Sequence, residues 1–242
     1  MLKTLILVLA LVASICNAQE GRVIYKNYPK LPDSLKSNLQ SNSKDYRIKN
    51  ELTEDVKNIL SKFNYILYFN SNEAFFEVES ILAKNYLEKM IKKSQSSFYH
   101  NRLKNETIER KETSGRIFLI NKQQLKWQIT NEKMNIANYN VQKAIAYKRE
   151  VNPITNQERK SKVIAWFTPE IPINFGPASY CGLPGLILKL EVMGNNFEVY
   201  DIDLAENKKT IQNFDKGEKV TEKEYLEINR ELYNNYKEFN TN

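Results

Sequence analysis

Few side chains in this chain could carry a reaction. His100 is the only histidine among 242 residues, so a zinc site of two or three imidazoles cannot be assembled within one chain. It lies in the polar stretch Ser94 to Lys104, and no Gly-x-Ser-x-Gly elbow accompanies it, which leaves a Ser-His-Asp arrangement without support. Cys181 could act as a nucleophile only beside a base or a positive dipole. Its sequence neighbours supply neither, so an inert, buried thiol is the plainer reading. Asp201 and Asp203 stand two apart, so on a strand they would share a face and could bind Ca²⁺ or work as a carboxylate pair. Such pairs are commonplace on solvated strands, although carboxylates distant in sequence can still meet in one cleft. The expectation is therefore no catalytic residue, no metal site and no cofactor.

The segment Trp166 to Leu186 holds four of the seven prolines and three of the seven glycines. Proline fixes φ and glycine permits turns closed to other residues, so this is a shaped, stiff connection. It runs into Leu186 to Val192, where Leu186, Leu188, Leu190 and Val192 fall on one face of a strand and Lys189 and Glu191 on the other. Within it, Gly182-Leu183-Pro184-Gly185-Leu186-Ile187 lacks the Gly-Lys-Ser/Thr ending of a phosphate loop. It reads as a tight turn that delivers a strand into a sheet, with its leucines in the core. The alternative is the lip of a ligand pocket lined by Trp166, Phe167, Phe175, Tyr180 and Cys181.

These residues must be positioned by the elements around them. Alternation of Val23 and Tyr25 predicts a first strand within Gly21 to Tyr28, and the polar, proline-bearing Pro29 to Asn50 predicts a loop. Leu52, Val56, Ile59, Leu60 and Phe63 recur at helical spacing, as do Ile81, Leu82, Tyr86, Leu87 and Met90. Between them, Phe63 to Phe69 and Ala74 to Val78 predict strands. From Glu106 onward come short strand candidates without helices between them: Thr107 to Thr113, Ile117 to Ile120, Leu125 to Thr130, Tyr139 to Arg149 and Val163 to Thr168. Short connections favour antiparallel pairing, because parallel pairing needs long crossovers. Thr221 and Glu224 have capping-box spacing ahead of a final helix carrying Tyr225, Ile228, Leu232 and Tyr236 on one face. The fold expected is α+β: a large antiparallel sheet, open to curvature, with two or three helices including one at the C-terminus. The curved sheets of periplasmic lipoprotein carriers offer a fold-level analogy.

Residues 1–18 read as a cleavable signal peptide: Lys3, the apolar run Leu5 to Ala13, then Cys16-Asn17-Ala18 before Gln19. The apolar run is about half of the roughly 20 residues a membrane span needs. Cys16 as a lipid-attachment site is disfavoured by the β-branched Ile15 before it. The remaining 19–242 are expected to form one domain that does not span the membrane and keeps only Cys181, hence no internal disulfide. The net charge of +7 is spread among interspersed Lys, Arg, Asp and Glu, as in Lys216 to Lys223. No basic block with interleaved aromatics is present, so nucleic acid is not an expected partner. A basic surface that favours anionic lipid or glycan surfaces is the alternative to a merely solvated one.

The hexapeptide is letter for letter the signature of the GLPGLI family, and the chain resembles that family in further elements. These are Val23-Ile24-Tyr25, Trp127, Tyr139 followed by Gln142-Lys143-Ala144, Ala165 to Ile173, and Gly176-Pro177. The resemblance implies an exported protein of Bacteroidetes-type bacteria with no established activity, and so supplies no catalytic residue. The family often carries a cysteine two residues after its tyrosine, where Val141 stands here, so any chemistry resting on that thiol would be missing. Taken together, these features predict a periplasmic protein that binds an apolar or amphiphilic ligand or an envelope partner. A hydrolase using carboxylates or Cys181, and an accessory subunit of an outer-membrane receptor or secretion system, are the alternatives.

Overall fold

The structure, a computed structural model, describes residues 20–29, 54–79, 82–152, 157–204, 210–211 and 213–241. The expected signal peptide and nearly all of the expected Pro29 to Asn50 loop lie outside the described residues. Strand β1 (Gly21–Asn27) sits in the middle of one sheet. On one side, β2 (Tyr65–Phe69), β3 (Glu73–Val78), β4 (Ser97–Asn101), β5 (Glu106–Thr113) and β6 (Arg116–Asn121) step away in chain order. On the other, β11 (Asn195–Asp203), β10 (Leu186–Val192), β9 (Glu158–Thr168), β8 (Tyr139–Val151) and β7 (Gln128–Ile136) step away in reverse. Every one of these neighbours is antiparallel, and short links dictate that pairing for β2–β3, β4–β5, β5–β6, β7–β8, β8–β9 and β10–β11. The last strand, β12 (Glu218–Thr221), adds to β6 in parallel. The result is an open, twelve-stranded, mostly antiparallel sheet with three helices among the described residues: α1 (54–62), α2 (Tyr86–Ser94) and α3 (Glu222–Thr241). No helix among the described residues is long and apolar enough to cross a membrane.

Connectivity alone forces this sheet to curl. Residues 122–127 join the end of β6 to the start of β7, a link that extends at most about 25 Å. In a flat sheet, strands that far apart in the order would be separated by ten spacings of roughly 4.8 Å, about 48 Å. The two arms therefore bend toward each other and leave a mouth that the link spans. Bulges between Ile24 and Tyr25, Ile187 and Lys189, and Ile129 and Lys133 supply local bends.

Residues facing one another on the concave side form the core, among them Val23, Tyr25, Leu67, Phe76, Ala165, Phe167 and Leu190. The connection from β9 to β10, residues 169–185, does not turn back at the edge. It crosses the concave side as a strap, burying Ile171, Ile173, Phe175, Tyr180, Cys181 and Leu183. Tyr25 donates its hydroxyl to the Ile187 carbonyl at 2.7 Å, anchoring the end of the strap to the central strand.

Local expectations met tertiary structure with mixed results. The final helix begins where the capping box places it, with Thr221 N donating to Glu224 Oε2 and Glu224 N to Thr221 Oγ1. The second helix does not. Asn85 caps it by accepting from Glu88 N at 2.8 Å, so it starts at Tyr86 and presents Leu87 and Ile91 to the core, leaving Leu82, Tyr86 and Met90 exposed. Strand β7 begins at Gln128 rather than Leu125, because residues 122–127 are used to span the mouth. In β10 the bulge interrupts the expected alternation, so Ile187 is buried along with Leu186, Leu188, Leu190 and Val192.

Candidate functional site

The two residues with most chemical potential, His100 and Cys181, meet through Thr107. His100 and Thr107 are cross-strand partners on β4 and β5, and Cys181 descends onto them from the strap. The His100 Nε2–H donates to the Ala178 carbonyl at 2.8 Å, so Nδ1 accepts from the Thr107 hydroxyl at 3.1 Å. With its hydrogen committed, Thr107 Oγ1 accepts from the Cys181 thiol at 3.7 Å. Burial lowers the His100 pKa from 6.5 to about 4, outweighing the Ala178 carbonyl, and burial pushes the Cys181 thiol up despite Thr107. The ring is therefore neutral with both nitrogens occupied, and the thiol is engaged with Thr107. This chain of bonds ties the strap to the sheet. The backbone at Ala178 has φ of 55°, a left-handed conformation that non-glycine residues seldom adopt, held by the histidine bond.

The hexapeptide is the return of that strap into the sheet. Gly185 N donates to the Leu183 carbonyl at 2.8 Å, closing a tight turn, and Gly182 adopts φ of +92°. A Cβ on Gly185 would lie 2.1 Å from the Thr168 carbonyl oxygen, a backbone atom that cannot swing aside. Gly185→Ala is therefore expected to cost about 1–3 kcal/mol, toward the top of that range, through forced displacement of β9 or the turn. A chemical-denaturation midpoint unchanged from wild type would refute this tight approach.

What the strap leaves open is a cleft at the mouth. Two cavities, of about 470 and 290 Å³, share Lys122, Lys148 and Ser179 in their walls. Tyr65, Phe76, Phe98, Phe197 and Tyr180 line the smaller one, joined by Glu109, Glu150, Asn27 and Asn195. Its lining comes from β5 on one arm and β8 on the other, which only the curl brings together. Tyr65 is 2 % exposed, yet its hydroxyl has no hydrogen-bond partner among the described residues. Burial pushes that phenol up to about 12; the neighbouring Asn27 amide offsets part of the rise without the geometry of a bond.

Charges of both signs ring the cleft. Lys122 lies 3.3 Å from Glu109 and also pairs with Glu222 at the start of α3, while Lys148 meets Glu150 at 2.9 Å. Burial by itself would raise the Glu109 carboxyl, but Lys122 and the Ser96 hydroxyl outweigh it and hold the pKa below the usual value. Burial pushes the Tyr180 phenol up, and the Glu150 carboxylate adds to the rise. No group of three or more His, Cys, Asp or Glu among the described residues is placed to hold a metal ion.

Of the residues proposed from sequence as pocket lining, only Tyr180 lines this cleft. Phe167 and Phe175 are fully buried in the core, Cys181 is buried on the inner side of the strap, and Trp166 is half-buried with Lys143 over its ring. Asp201 and Asp203 do share a neighbourhood, but Arg22 lies 3.9 Å from each. Val141, at the position where the resembled family often carries cysteine, is a core residue. Sequence reading missed Glu109, Lys148 and Glu150. Their signal was polarity at core-facing positions, for Lys148 and Glu150 follow Ala144 and Ala146 on the same face of β8. That signal is visible only when the register is known.

Two crystal forms of PNGF-II share this fold. The P21 form aligns with a TM-score of 0.50 at 17% identity over 86% of this chain, and the C2 form with 0.51 at 16% over 88%. The chain spans about a third of the length of PNGF-II, 32% in either case, and a likeness at this identity is one of fold. No curated protein matches the sequence. Residues 148–189 match the model of a family described as "Protein of unknown function (Porph_ging)". That match runs from Lys148 at the cleft through β9, the strap and the hexapeptide into β10.

Proposed function

We propose that this chain is an exported envelope protein of the GLPGLI type that binds a small amphiphilic ligand without transforming it. In this reading residues 19–242 form a single periplasmic domain, released by cleavage near Ala18. The observation that carries it is the cleft, where an aromatic floor lies under a rim charged with both signs. A purely apolar ligand would strip water from Lys148 and Glu150 without replacing it, at a cost that a ligand with a polar end avoids. An unpartnered buried hydroxyl costs about 1–3 kcal/mol, so a ligand atom that bonds Tyr65 Oη would relieve an existing deficit.

Native mass spectrometry of protein taken from its own envelope fraction should detect a retained small molecule. Tyr65→Phe should weaken its retention about tenfold, the equivalent of one hydrogen bond, while leaving the fold at least as stable as before, because removing a buried hydroxyl with no partner among the described residues also removes its desolvation cost. Protein that carries nothing, and whose melting temperature no amphiphile raises, would remove the basis for this reading.

One observation favours a hydrolase instead: Glu109, Glu150 and Glu222 converge around Tyr180. Each is already paired with a lysine, and the Glu109 pKa is held below its usual value, unlike the raised carboxyl that serves as general acid in two-carboxylate glycoside cleavage. Turnover of a substrate that Glu150→Gln abolishes would transfer the assignment to that class.

A further inference from the structure

Resting on the reading of the cleft as a ligand site, we propose that its ligand is an anion-headed amphiphile, with the anionic group in the larger cavity and a compact apolar arm in the smaller. The shared wall of Lys122, Lys148 and Ser179 makes the cavities two lobes of one cleft. The smaller lobe has the aromatic floor, and its 290 Å³ has room for about ten water-sized groups, enough for a short alkyl chain or one ring.

The larger lobe differs in its balance of charge. Lys122, Lys126, Lys148 and Arg149 line it against the single carboxylate of Glu222. Lys122 is already held between Glu109 and Glu222, and Lys148 by Glu150. Lys126 and Arg149 have no acidic partner among the described residues, so the uncompensated charge is positive. A cationic head would meet two free cations and no free carboxylate there, whereas an anionic head neutralises them. The guanidinium of Arg149 can take a phosphate or carboxylate through two parallel bonds. A lipid headgroup and a free anion share this chemistry; the apolar floor next door distinguishes the former.

The test titrates the mature chain with octyl phosphate, octyl glucoside, octyltrimethylammonium and inorganic phosphate, by calorimetry at low salt. Octyl phosphate should bind about tenfold or more tightly than the other three, and added salt should weaken it. Arg149→Glu and Lys126→Glu, both at exposed positions where the fold tolerates them, should each weaken octyl phosphate about tenfold and leave octyl glucoside unchanged. Equal binding of the three octyl compounds would overturn the anionic head while leaving the binding-protein reading in place. Inorganic phosphate binding as tightly as octyl phosphate would overturn the apolar arm. If no octyl compound binds, the cleft reading itself fails.

Discussion

Truncation of Phe175 to alanine is expected to lower the free energy of unfolding by about 3–5 kcal/mol, the usual cost of emptying a buried phenylalanine site. The residue belongs to an irregular connection, where such changes are ordinarily mild, so the size of the effect tests whether the strap is core. Phe175 is 1 % exposed, its ring lies 5.9 Å from that of His100, and its carbonyl accepts from Ile187 N at 3.1 Å. Neighbouring Gly176 has no room for a side chain, since a Cβ there would fall 2.7 Å from Ile187 Cδ1. The surroundings are therefore too tightly fixed to collapse into the vacated volume, which puts the site at the costly end of such truncations. Trp166→Ala, at a half-buried position away from the strap, serves as the comparison and should cost clearly less. Denaturant titration should show a lower midpoint at unchanged slope. A loss below about 1 kcal/mol would mean that the strap is a surface feature laid over a core complete without it.

Acid should weaken the fold through His100, and the direction follows from its burial, which outweighs the hydrogen bond to the Ala178 carbonyl. The folded ring resists protonation down to about pH 4, against 6.5 in the unfolded chain. Above pH 6.5 both states are neutral at this site and stability does not depend on it. Below 6.5 the unfolded chain binds a proton that the folded ring refuses, so stability falls with pH and the loss levels off below about 4. Each pKa unit is worth 1.36 kcal/mol, so the gap amounts to about 3 kcal/mol. His100→Gln keeps an amide that can donate toward Ala178 but cannot titrate. The variant starts less stable at neutral pH, and its disadvantage should shrink as pH falls from 7 to 4. Carboxylates such as Glu109 titrate alike in both proteins and cancel from the comparison. Parallel pH profiles for wild type and variant would contradict a neutral, buried histidine.

Legibility in the sequence followed the range of the interactions. The strand run after Glu106 and the capping box at Thr221 were readable because alternation and end-capping involve neighbours a few residues apart. Strand β4 escaped notice because His100 turns its polar ring into the core, so Ser97–Asn101 reads as a polar stretch. The second helix was readable as a helix but not in its facing, since Asn85 rather than the apolar spacing sets its start. The site was harder still. Glu109, Lys148 and Glu150 look like ordinary surface charges until the register shows that they face inward.

By itself, the sequence determined a mostly antiparallel α+β architecture and a poverty of reactive groups. Short links between alternating strands leave antiparallel pairing as the only economical choice, and one histidine cannot become three. Only tertiary structure decided that the proline-rich segment would cross the concave side, that Cys181 and Ala178 would reach partners 74 and 78 positions away, and that two sheet arms would close on a charged cleft. Those outcomes depend on how far twelve strands curl, a sum of many small twists and bulges that no local pattern of residues encodes.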